Sequence, residues 1–152
     1  MGRVDYQHLS TLLWREQELL DLLLFKAEEK QYLIVTGKSR WLSRIAHEIE
    51  VVLDQLRTLE VERAAATEVL AERLGVGVNP SLRKLAEAAP APWNDLYAKH
   101  HETLLVLVTE LRGLSAIGDA LLSVKSPSAG TYGSTGRSDE RGHRAVTLDG
   151  AL

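Results

Sequence analysis

The chain has 152 residues, about one domain, and its 45% apolar content with 27 leucines is enough for a sizeable core. Eighteen basic residues are interleaved with twenty-one acidic ones for a net charge of -3, which argues against a nucleic-acid partner because phosphate contacts need a concentrated Lys/Arg patch. Cysteine is absent, so disulfides and thiolate metal sites are excluded.

Only 5% of residues are aromatic and 26% are charged, a composition that with helical periodicity favours an all-α bundle or coiled coil. The opening Met-Gly-Arg-Val-Asp lacks the apolar run of a signal peptide, and no apolar stretch reaches the roughly 18 residues of a membrane span. A cytoplasmic protein without membrane insertion is expected.

The first long helix is predicted over residues 6–35. Leu13, Leu20, Ala27 and Ile34 repeat every seven positions, and Leu9, Leu12, Leu19, Leu23 and Leu24 widen the stripe enough to meet more than one helix. Gly37 ends it, since glycine closes a helix in the left-handed conformation, and Ser39 is the expected N-cap of the next. The second helix carries an unbroken 3-4 seam of Leu42, Ile45, Ile49, Val52, Leu56 and Leu59, continued by Ala66 and Leu70. That spacing winds every seam residue onto one face, which partner helices must cover. Arg63 and Arg73 interrupt the seam, with stems packed and heads reaching water or a carboxylate such as Glu16. Gly75-Val76-Gly77-Val78-Asn79-Pro80 breaks this helix, so the first two form a long antiparallel hairpin.

Asn79 and Pro80 make a cap and first-turn pair for a short helix over 81–88 carrying Leu82 and Leu85, which Pro90 and Pro92 stop. A third long helix follows over 93–122, with Leu104, Leu107, Leu111 and Leu114 on one stripe. It has surplus apolar surface, because Val106 and Ile117 project opposite that stripe and Leu105 lies on a third side. Such surplus belongs to a helix buried on several sides, to a homodimer interface, or to a groove open to another amphipathic helix. From Ser123 onward, five glycines, five serines and a proline in thirty residues predict a disordered tail. The expected division is a helical domain over 1–122 and a flexible tail over 123–152.

The motifs that hint at chemistry do not hold together. Thr36-Gly37-Lys38-Ser39 resembles the end of a phosphate-binding loop, but Tyr32 stands where that loop needs its first glycine. Gly75-x-Gly77 follows a helix rather than a strand, which removes a dinucleotide reading. His100 and His101 are adjacent, hence about 100° apart on a helix, and cannot share one metal. His47-Glu48 and His101-Glu102 read as solvated surface pairs, and no serine or threonine has the context of a nucleophile. No catalytic, metal or cofactor-binding residue is assigned.

Three local features stand out: the junction Tyr32-Leu33-Ile34-Val35-Thr36-Gly37-Lys38, the segment Leu56-Arg57-Thr58-Leu59-Glu60-Val61-Glu62-Arg63, and Thr131-Tyr132-Gly133-Ser134-Thr135-Gly136-Arg137 in the tail. Together they resemble the FlgN family of flagellar export chaperones. With the helix order, the likeness covers about residues 6–137. Lys38 departs from it, since the family often has an acidic residue there. The resemblance implies a cytoplasmic, non-enzymatic, cofactor-free chaperone of type III flagellar export. Such a protein binds C-terminal helical segments of the hook-filament junction proteins (the flagellar hook-associated proteins), prevents premature assembly and presents them to the export apparatus. It places client binding towards the C-terminus, here the third long helix and the tail, and the surplus apolar surface of that helix makes Leu105, Val106, Val108, Ile117, Leu121 and Leu122 the candidate client-binding residues. The alternative is a structural coiled-coil adaptor or dimerisation module with no export client.

Overall fold

The structure is a computed structural model that describes residues 2–114. Four helices, α1 (Gly2–Val35), α2 (Leu42–Leu74), α3 (Leu82–Ala88) and α4 (Trp93–Arg112), make an all-α fold with no strand among the described residues. The expected tail, 123–152, lies outside them.

α1 and α2 form the antiparallel hairpin that the 3-4 seam requires. Three ion pairs fix its register along the length: Arg73 to Asp5 at 2.6 Å, Arg63 to Glu16 at 2.9 Å and Lys26 to Glu48 at 2.8 Å. Every seam residue from Ile45 to Leu70 is buried, while Leu42 at the turn is half-buried. α1 starts four residues earlier than expected; Asp5 in its first turn suits the helix dipole and meets Arg73 across the hairpin.

At the turn, Gly37 takes φ 70°, its N–H donates to Ile34 O and the Lys38 N–H donates to Leu33 O, which closes α1 as anticipated. Ser39 does not cap α2. It opens a 3-10 turn, Ser39–Trp41, and α2 begins at Leu42 with no side-chain cap, because the backbone bond from Trp41 N–H to Lys38 O closes the reversal. The cap of α3 is likewise displaced from Asn79 to Ser81, whose hydroxyl accepts from the Lys84 N–H at 3.2 Å. An N-cap needs extended backbone; Ser81 has it at ψ 160°, whereas Asn79 sits at φ 51°.

α4 runs parallel to α1. Trp93 stacks on Tyr6 with ring centroids 5.8 Å apart, Tyr97 donates its hydroxyl to Tyr6 O at 2.8 Å, and the His100 ring meets Trp14 edge-on at 4.7 Å. Leu104 and Leu111 are fully buried, and α3 packs chiefly against α4. The described helix ends at Arg112, and the rest of the stretch expected to be helical, 115–122, lies outside the described residues. Gly113 is a poor helix former, and its N–H and that of Leu114 bond back three residues, to Glu110 O and Leu111 O, tightening the last turn. At this register α4 ends beside about Leu24–Lys26 of α1, leaving roughly ten residues of the hairpin, or about 15 Å, beyond it.

Candidate helix-binding face

α4 is divided by its own periodicity. Tyr97, His100, Leu104, Leu107, Val108 and Leu111 turn into the core, while Leu105 is 40% and Val106 57% exposed. Val108, expected with the outward set, is therefore corrected to a core residue at 1% exposure. Its position explains this: it lies four residues after Leu104 and three before Leu111, on the stripe those leucines define. Leu105 and Val106 sit beside exposed Glu102, Thr109 and Glu110, so the face is apolar at its centre with polar neighbours. Ile117, Leu121 and Leu122 lie outside the described residues.

Beneath this face the core holds a charged centre that sequence spacing only half discloses. Glu16, with no exposed surface, accepts from Arg63 Nη1 at 2.9 and 3.0 Å, and Glu60 lies 3.8 Å from the same nitrogen. Burial works to lower the Arg63 pKa, but the Glu16 and Glu60 charges and the Glu16 hydrogen bonds outweigh it and leave the guanidinium raised. His100 is buried too, and its Nε2 has no hydrogen-bond partner. Burial pushes its pKa down, opposed by the Glu16 charge, so the neutral ring is favoured. Burial and the nearby Tyr6 raise Tyr97, keeping its phenol a donor. A carboxylate, an arginine and a histidine together invite a catalytic reading, but all three are buried and Arg63 already bonds both Glu16 oxygens. The centre sets helix register rather than reaching a substrate. Among the described residues no group of three His, Cys, Asp or Glu could hold a metal.

The phosphate-loop look-alike is the helix-closing turn itself. The N–H groups of Gly37 and Lys38 are spent on Ile34 O and Leu33 O rather than presented to an anion. Nearby, a cleft of about 410 Å³ is lined by Glu29, Leu33, Trp41, Arg44, Ile45 and Glu48. Glu48 bonds to Lys26 and Arg44, which hold its carboxyl below the usual range, so the rim is already neutralised.

The hairpin's outer end is more exposed than its apolar spacing implies. Phe25 and Tyr32 are each 62% exposed, and Ile34, Val35 and Trp41 are exposed around the turn. Ile34 belongs to the seven-residue stripe expected to be covered. Only the length of α4, which periodicity does not encode, would have revealed that it is open.

A helical hairpin carrying one further long helix, with apolar side chains left outward, is the all-α fold that the described residues define. A model of the family described as FlgN protein matches residues 1–124, and the chain belongs to the FlgN family. This is a family of flagellar export chaperones, not of enzymes, so the general role is that of a chaperone in flagellum assembly. No curated protein and no solved structure matches the chain. Among the described residues no helix is long and apolar enough to cross a membrane.

Proposed function

We propose that the protein is a cytoplasmic chaperone of type III flagellar export that binds the C-terminal helical segments of the hook-filament junction proteins. It holds these flagellar hook-associated proteins back from premature assembly and presents them to the export apparatus. The carrying observation is the outward pair Leu105 and Val106 on a helix whose Tyr97, Leu104, Leu107, Val108 and Leu111 are already spent on the core. Ile117, Leu121 and Leu122 extend this surface in the proposal, and Val108 is withdrawn from it.

Client segments that pack into a bundle only after export carry an apolar stripe that is unsatisfied beforehand. An amphipathic helix laid along α4 buries that stripe against Leu105 and Val106, with Glu102 and Glu110 at the edge to meet basic or polar groups. Burying one such side chain contributes about 1.5–3 kcal/mol, or roughly tenfold or more in affinity, which leaves the complex reversible when few are used. The chemistry is association alone, and no step calls for a cofactor.

Co-purification of the full chain with the C-terminal segments of both junction proteins tests the reading. Capture of at least one segment, lost on changing Leu105 and Val106 to serine, supports it. A folded chain that captures neither, and elutes as a dimer, favours the adaptor or dimerisation module instead.

A further inference from the structure

The outward side of α1 carries an aromatic ridge that packing against the core does not explain. Trp14, Phe25 and Tyr32, three of the chain's eight aromatic residues, are each more than half exposed. Eleven residues at about 100° apiece return to within about 20° of the start, and eighteen close five turns. The three side chains therefore stand in line along about 27 Å of one unbroken helix, opposite buried Leu12, Leu19 and Leu23.

The ridge is edged with negative charge. Asp21, Glu28 and Glu29 lie within about 60° of it, all exposed, and none has an ion-pair or hydrogen-bond partner among the described residues; Glu18, on the same arc, is shared with Arg15 at 3.4 Å. Between Trp14 and Tyr32 no lysine or arginine falls within that arc. Arg15, Lys26 and Lys30 turn away from it, and Lys26 is held by Glu48 on α2.

We propose that this ridge docks a basic amphipathic helix of another protein, one with arginine or lysine flanking its apolar stripe. Carboxylates in alternation with rings favour that occupant. The carboxylates offer ion pairs, and the ring faces attract cations, as the Trp41 ring does within this chain with the Arg40 guanidinium 4.5 Å from its centroid. A straight ridge of about 27 Å matches about 18 residues of a second helix laid alongside. A second copy on the same face would set carboxylate against carboxylate, and an anionic membrane surface would be repelled in the same way. The ridge lies on a different helix from Leu105 and Val106, so the inference does not rest on the client reading.

The probe is a labelled synthetic peptide of about 18 residues, helical, with leucine along one face and arginine flanking it, beside its counterpart with glutamate in place of arginine. In anisotropy titrations the full chain should bind the arginine peptide about tenfold or more tighter than the glutamate one. Phe25→Ser with Tyr32→Ser should weaken that binding about tenfold or more. Glu28→Gln with Glu29→Gln should weaken it too and lessen its loss on adding salt. All four positions are exposed, so both double variants should melt like the parent. Leu105→Ser with Val106→Ser should bind the arginine peptide as the parent does. Equal binding of the two peptides, parent-like binding by either α1 double variant, or loss of binding in the α4 variant would overturn the proposal. So would a dimer on a sizing column that Phe25→Ser with Tyr32→Ser converts to monomer, which would give the ridge to a second copy.

Discussion

Where α4 runs beside it, the α1–α2 hairpin buries Leu9, Leu13, Leu20, Leu23, Leu56 and Leu70 completely; beyond the end of α4 the same seven-residue stripe surfaces as an exposed Ile34. The residue types and spacing hardly change between these regions. What changes is the number of helices sharing the interface. Along this stripe, exposure among the described residues follows from where α4 stops, and the inner and outer parts of one hairpin should answer to mutation very differently.

The largest expected contrast comes from placing a carboxylate in each region. Leu56→Asp puts an unpaired charge into the inner core, a cost of several kcal/mol comparable with the stability of a whole domain, and should abolish cooperative melting. Ile34→Asp at the outer end should shift stability by only about 0.5 kcal/mol. Similar thermal melts for the two variants would erase the distinction.

The buried ion pair sharpens the inner half of the comparison. Arg63→Met leaves Glu16 charged and sealed, which should cost about 3–5 kcal/mol, whereas Glu16→Leu with Arg63→Met removes both charges and should come close to neutral. Denaturant titration of the two single variants and the double gives the coupling. A double variant as unstable as Arg63→Met alone would mean that the pair is not what holds this region together.

A smaller effect belongs to His100, whose neutral form the core favours. Because its folded pKa is lowered, the unfolded chain binds the extra proton first as pH falls through the ordinary histidine value of 6.5. Stability should decline below that pH until the folded value is passed, and His100→Gln should flatten this part of the acid limb. Melting curves between pH 7.5 and about 5 check the sign. A profile rising towards acid would show that Glu16, the opposing influence, prevails. The smallest effect is expected at Lys38, exposed on a turn whose backbone does the closing: Lys38→Ala should leave melting and client capture unchanged, and loss of ATP binding in that variant would reinstate the phosphate reading.

Much of this fold is legible from spacing alone. The seam from Ile45 to Leu70 buries as a 3-4 pattern demands, and an arginine interrupting it points to the carboxylate it finds in Glu16. Less legible are features set by contacts between distant segments. Val108 is not among them: it lies four residues after Leu104 and three before Leu111, so spacing alone puts it on the buried stripe, and grouping it with the outward set overlooks that. Ser81 rather than Asn79 caps α3 because the cap depends on backbone angles that the loop decides. The Trp14–His100 contact and the end of α4 depend on how a third helix registers against a hairpin, which the period of either partner does not contain.

The most direct measurement is calorimetric titration of a junction-protein C-terminal peptide into the full chain and into Leu105→Ser/Val106→Ser. Both positions are exposed, so the variant should melt within about 1 kcal/mol of the parent. Affinity should fall about tenfold or more through the removed apolar contacts. Undiminished affinity in a folded double variant would contradict the assignment of α4's outward face as the client surface.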